Sequence, residues 1–163
     1  MAIRLLVTGG TFDKEYDELD GSLVFQDSHV KEMLSLGRCR VPVKVRTLMM
    51  IDSLEMGDDE RDMILRNCQT CDEEHIVITH GTDTMELTAR HLGHAITDKT
   101  VILVGAMIPY TFGSSDGLFN LGAAIAFAQT LPHGVYVAMN GRVFPYDRVR
   151  KNRRIGEFEE IEG

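Results

Sequence analysis

The sequence is short of cysteine, of long apolar runs and of positive charge, and each shortage removes a class of function. Its three cysteines, Cys39, Cys68 and Cys71, are an odd number and build no disulfide framework. Cys68 and Cys71 form a C-x-x-C at the end of a helical stretch, with no second pair. A four-ligand metal site would have to recruit His75 or a distant residue, so two half-buried helix-end thiols are the preferred reading. His91 and His94 have an i,i+3 spacing that suits a metal, but no third ligand stands at a matching position. No metal and no other cofactor is expected. No run approaches the ~18 uninterrupted apolar residues of a membrane span. The N-terminal apolar run is short and passes straight into a glycine turn, which is not the build of a signal peptide. With 17 Lys and Arg against 25 Asp and Glu, the net charge of −8 argues against nucleic acid or an anionic membrane surface as partner. The expected location is the cytoplasm. Familiar site motifs are missing too: there is no G-x-G-x-x-G after the first strand, no P-loop and no G-x-S-x-G elbow.

What remains is a chain of 163 residues, one domain's length, 44% hydrophobic and 26% charged. Nearly continuous Val/Ile/Leu runs at 3–8, 42–50, 75–79, 100–105 and 134–139 read as parallel strands covered on both faces. Helical patterns at about 28–37, 58–70, 84–96 and 117–130 lie between them. In the third, Met85, Ala89, Leu92 and Ile96 make one buried stripe, with Glu86 and Arg90 as an i,i+4 pair outside it. The fourth is apolar nearly all round and is expected to be well buried. This alternation predicts an α/β fold: three layers, an open and mostly parallel sheet with helices on both faces. Residues 9–27 show no periodicity, and a loop of this length in a compact domain reads as an active-site lid.

Two glycine–threonine turns carry the chemistry. Thr8-Gly9-Gly10-Thr11 follows the first apolar run, and Thr79-His80-Gly81-Thr82-Asp83-Thr84 follows the third. Strand ends in an open α/β sheet leave a crevice for ligands. Glycine lets the backbone approach closely, and threonine supplies a hydroxyl that can attack or donate. Each candidate has a plainer reading. Asp83-Thr84-Met85-Glu86 has capping-box spacing, Asp52-Ser53 has the look of a cap, and Thr11 and Thr82 can be turn formers. Lys151 sits in Arg148-Val149-Arg150-Lys151-Asn152-Arg153-Arg154, whose default reading is a solvated cationic face.

Taken together, Thr8-Gly9-Gly10-Thr11, His80-Gly81-Thr82-Asp83-Thr84-Met85-Glu86, Val104-Gly105-Ala106-Met107-Ile108-Pro109 and Ser114-Ser115-Asp116-Gly117-Leu118-Phe119-Asn120-Leu121 resemble, in order, the bacterial-type L-asparaginase/glutaminase family. The resemblance spans almost the whole chain and implies amidohydrolase chemistry: a threonine attacks a side-chain amide, ammonia leaves, and water cleaves the acyl-enzyme. By the resemblance Thr11 is the nucleophile, Tyr16 the lid tyrosine beside it, and Thr82, Asp83 and Lys151 the set that activates a hydroxyl or water. Arg150 is adjacent to Lys151 and is the alternative for that place. Ser53 holds the substrate α-carboxylate, Asp83 also pairs the α-ammonium, and Ala106 lines the side-chain pocket. Backbone N–H groups at Gly10 and Gly81 meet the oxyanion. The substrate implied is an amino-acid amide such as L-asparagine.

Longer members of that family carry a second, smaller domain that lends a carboxylate to a neighbouring subunit. Residues 1–163 read as a single domain of the N-terminal type, without the family's C-terminal domain. A homodimer or higher homo-oligomer is therefore expected, with Glu157, Glu159, Glu160 or Glu162 as the substitute carboxylate. A non-catalytic amino-acid-binding or regulatory module on the same scaffold is the alternative.

Overall fold

A computed structural model of the chain describes residues 1–162. Its centre is a six-stranded sheet made of β1 (Ile3–Gly9), β4 (Val43–Ile51), β5 (His75–Thr79), β6 (Thr100–Val104), β7 (Gly134–Met139) and β8 (Arg142–Pro145). The strand order is β4-β1-β5-β6-β7-β8. All pairs are parallel except β7–β8, an antiparallel edge pair.

Side-chain alternation along each strand divides the core into two halves. Leu6, Ile76, Ile78, Val101, Leu103, Val135 and Val137 point to one face, where they meet α2 (Asp58–Thr70) and α3 (Met85–Gly93). Ile3, Leu5, Val7, Val77, Ile102, Val104 and Ala138 point to the other, under α1 (Val30–Leu36) and α4 (Gly117–Thr130). Strands buried on both faces need this continuous run of apolar residues, which holds for β1, β5 and β6 but not for the edge strand β4, none of whose residues is buried; the expected three-layer α/β class is the one observed. From β1 the chain passes to β4 on one side of the sheet and then crosses to β5 on the other. The crevice therefore opens between the carboxyl ends of β1 and β5, where both glycine–threonine turns lie.

Three expectations need correction. Residues 9–27 are not an irregular loop: they hold a 3-10 turn, Thr11–Asp13, and a hairpin of β2 (Lys14–Asp17) and β3 (Ser22–Phe25). The pattern was hidden because neither strand of this two-stranded ribbon faces the core, so its residues show no apolar alternation. α4 is not buried all round. It lies on one face of the sheet, so Asn120, Leu121, Ala124, Ile125 and Ala128 are covered while Phe119 is 65% exposed. The segment after Arg148 is a second hairpin, β9 (Val149–Asn152) with β10 (Glu157–Glu160), rather than a free cationic face. Val149 and Phe158 anchor it in the core.

Candidate active site

The ends of β1, β4 and β5 converge on positions where no side chain fits. Gly10 has φ +77°, and a Cβ there would stand 2.5 Å from the Gly81 Cα. A Cβ at Gly81 would in turn stand 2.6 Å from the Ser53 Oγ. These contacts explain the glycines in chemical terms, since only bare backbone brings the three strand ends together. Thr8 Oγ1 donates to the Thr79 carbonyl at 2.7 Å, and Gly10 N–H donates to the Ile51 carbonyl at 2.9 Å. The end of β1 is thereby tied to β5 on one side and to β4 on the other. Thr11 follows at the half-buried start of the 3-10 turn, and Thr82 is buried one residue after Gly81.

Lys151 reaches this crevice from β9. Its Nζ donates to Thr82 Oγ1 at 2.8 Å and to Asp83 Oδ1 at 2.9 Å. The lysine side chain is only 9% exposed, against 35% for Asp83. Strand alternation separates the two adjacent cations: Lys151 points inward, while Arg150 points outward to Glu159 at 2.6 Å. Arg153, in the turn of the same hairpin, donates to the Asp83 carbonyl at 2.9 Å. Asp83 is not a helix cap, for the residue preceding α3 is Thr84 and its side chain caps nothing. The hydroxyl held by the lysine is that of Thr82, not that of Thr11.

Below the second turn lies a buried polar network. With Nδ1 donating to the Gly81 carbonyl at 2.7 Å, His80 leaves Nε2 to accept from the Thr88 hydroxyl at 2.8 Å. Arg61 then donates to Thr88 Oγ1 at 2.9 Å and to Thr84 Oγ1 at 3.1 Å, and Thr84 Oγ1 donates to the Ser53 carbonyl at 2.8 Å. Burial, with the Arg61 charge alongside, pushes the His80 imidazole down to about 4, although its bond to Gly81 opposes this. The imidazole is therefore neutral at pH 7 and braces the turn. Ser53 Oγ accepts from Thr84 N–H at 3.3 Å, which leaves its own proton free to donate. Asp52 caps the short turn after β4 through Leu54 N–H and binds Lys14 at 2.7 Å. Hydrogen bonds from Lys14 and Leu54 hold the Asp52 carboxyl below its usual range.

The family model described as Asparaginase, N-terminal matches residues 2–158. The chain belongs to the asparaginase family. It is 29% identical over 161 residues to the L-asparaginase of Thermococcus kodakarensis, covering 96% of this chain and 49% of that one. With the glutaminase-asparaginase of Pseudomonas fluorescens it shares 47% identity over 154 residues, covering 86% and 42% of the two chains. The solved thermostable L-asparaginase from T. kodakarensis superimposes with a TM-score of 0.88, covering 100% of this chain and 52% of that one at 29% identity. A probable cytoplasmic L-asparaginase from Campylobacter jejuni gives a TM-score of 0.80 at 30% identity, covering 98% and 51%. The chain spans about half the length of the curated relatives it matches.

Within this asparaginase-family site the other named residues fall unevenly. Ala106 is buried just past β6, in a segment shaped by Asp116, whose carboxylate accepts from Met107 N–H at 3.0 Å and Ile108 N–H at 3.1 Å. Asn120 and Asn140 also donate to that carboxylate. Burial raises the Asp116 carboxyl, but these donors outweigh it and hold it below its usual range. The motif alone assigns Asp116 no role; the signal that identifies one is an acidic residue directly before a glycine helix start, facing a strand-end loop. Tyr16 lies on the exposed hairpin, 58% exposed, with its hydroxyl 3.8 Å from where a Cβ at Gly21 would stand. Among the tail acids, Glu159 is taken up by Arg150 and Asn152, and Glu157 and Glu160 are exposed on β10. Cys68 is a buried free thiol pushed up to about 12 by burial, with Cys71 as a lesser contributor. A surface cavity of about 470 Å³ is lined by His29, Glu32, Tyr110 and Leu118 among others, and by none of the candidate site residues. No helix among the described residues is long and apolar enough to cross a membrane.

Proposed function

We propose that this asparaginase-family chain hydrolyses the side-chain amide of a small amino acid, with L-asparagine as first substrate, through an acyl-enzyme on Thr11. The observation that carries the reading is the buried Lys151 ammonium bound to both Thr82 Oγ1 and the Asp83 carboxylate. A merely solvated lysine would not bring its charge into a crevice between two threonine turns, because desolvating it is costly.

In the proposed sequence the Thr11 oxygen bonds to the amide carbon and its proton passes to the departing nitrogen. The C–N bond breaks and ammonia leaves. Water then attacks the ester and passes a proton to the Thr82 hydroxyl, whose own proton goes on towards the departing Thr11 oxygen, while the Lys151 ammonium steadies the charge that develops on Thr82. The C–O bond to Thr11 breaks, and the threonine recovers its proton as the acid departs. The Gly10 N–H is spent on the Ile51 carbonyl, so of the two expected donors the backbone N–H of Gly81 meets the developing oxyanion, a contact worth about 3 kcal/mol in comparable acyl-transfer sites. Ser53 donates to the α-carboxylate and the half-exposed Asp83 pairs the α-ammonium.

Ammonia release by the full chain on L-Asn, D-Asn and L-Gln tests the reading. Release from L-Asn with matching aspartate is expected, abolished in a folded Thr11→Ala variant. A folded chain that releases no ammonia from any of the three would overturn it. The proposed assembly is a homodimer, favoured by exposed apolar residues such as Phe119 and Leu19, and sedimentation equilibrium reads it directly. The proposed location is the cytoplasm, in keeping with its free thiols.

A further inference from the structure

Lys151 owes its position to a strand with a free edge. β9 pairs only with β10, in a two-stranded ribbon. In a β-strand the carbonyl of one residue and the N–H two residues later point to the same side. The Val149 carbonyl and the Lys151 N–H therefore face together away from β10. Both are met by α3: Arg90 Nη2 donates to the Val149 carbonyl at 3.1 Å, and Lys151 N–H donates to Glu86 Oε2 at 3.3 Å. Glu86 and Arg90 are one helical turn apart, the spacing that places two side chains on one helix face. The two side chains of this i,i+4 pair are spent on the edge of β9, where they do what a neighbouring strand would do.

We propose that Glu86 and Arg90 are positioning residues for Lys151. They clamp the backbone on both sides of Arg150 so that the Lys151 side chain is delivered to Thr82 and Asp83 rather than to solvent. Its consequence for turnover rests on the amidohydrolase reading above; its consequence for the lysine does not. β9 is otherwise held through β10, by Val149 in the core, by the Lys151 side chain on Thr82 and Asp83, and by Arg153 on the Asp83 carbonyl. A loosened edge would allow the strand to twist outward, and displacements of an ångström at a reacting group cost activity steeply. The acceptor requirement is specific: glutamine at position 86 keeps an oxygen for the Lys151 N–H, and alanine does not.

The experiment compares wild type, Glu86→Ala, Glu86→Gln and Arg90→Met in two readouts. Competitive acetylation, followed by peptide mass spectrometry, measures Lys151 against the exposed Lys31 in the same sample. Steady-state ammonia release gives kcat and KM. In Glu86→Ala the ratio of Lys151 to Lys31 labelling should rise about fivefold or more and kcat should fall about tenfold or more, with KM little changed. Arg90→Met should move both in the same direction, and Glu86→Gln should stay close to wild type in each. Wild-type labelling of Lys151 in folded Glu86→Ala and Arg90→Met would overturn the clamp, as would a glutamine variant as impaired as the alanine one. Absence of ammonia release in wild type would count against the proposed reaction and leave the labelling readout to decide the clamp. Should the alanine variant not fold, Arg90→Met and Glu86→Gln decide it by the same two readouts.

Discussion

Acid should loosen this protein through His80 before it touches the carboxylates. The imidazole is wholly enclosed, bonded at both nitrogens, and held down to about 4 chiefly by burial. In the unfolded chain it titrates near 6.5. Between these values the unfolded state carries a proton that the native state does not, so stability rises with pH across the window and is lost as pH falls through it. The slope is about 1.4 kcal/mol per pH unit, and going from pH 6.5 to 4.5 removes about 2–3 kcal/mol of the ~5–15 kcal/mol that such a domain has. Asp13 works the other way. Burial raises its carboxyl, so the native state takes up that proton earlier than the unfolded chain and gains relative stability as pH falls. Glu73, held to about 2 by Lys44 and Arg4, contributes stability present above pH 4.5 that is lost only as pH falls towards 2. Urea unfolding at pH 7.0, 6.0, 5.0 and 4.5 should show a midpoint falling by about 1 M across the series. Ring-nitrogen NMR of the native protein should place the His80 titration near 4. A native titration near 6.5, or a stability unchanged from pH 7.0 to 4.5, would refute the reasoning.

Gly10→Ala forces a Cβ onto the Gly81 backbone at a φ of +77°, so chemical denaturation should show a loss of about 3 kcal/mol or more. Gly122→Ala, on the open face of α4 with nothing near its Cβ, is the matched control and should stabilise by about 0.5–1 kcal/mol. Asp116→Asn replaces a carboxylate that faces four donors by a group that is half donor, so unfolding free energy should drop by about 2–3 kcal/mol and KM should rise as the Ala106 segment loosens.

The parallel strands and the helices were legible because their residues must satisfy a core on a fixed period. Bounds for β5, β7, α2 and α4 were read to the residue. The hairpins were not legible. Lys14–Asp17 and Ser22–Phe25 face no core, and Val149–Asn152 sits inside a basic run whose charge masks its alternation. At the site, Thr82, Asp83 and Lys151 could be named from motif order, yet only the hairpin explains why Lys151 rather than Arg150 faces inward. Nothing local in the sequence reports that Glu86 and Arg90 serve a strand sixty residues away, since the same spacing would suit a surface ion pair. In the sequence His80 is likewise no more than part of a turn. Its role depends on Thr88 and Arg61, which arrive from two helices.

In the proposed mechanism the Lys151 charge held on Thr82 and Asp83 does chemistry rather than solvation. The direct measurement is kcat for ammonia release from L-asparagine by Lys151→Met, set beside Arg150→Met on the outer face of the same strand. Lys151→Met should lose about a hundredfold or more in kcat, the scale of a general acid–base group, and Arg150→Met should stay within about twofold of wild type. Equal and small effects in the two folded variants would contradict the mechanism.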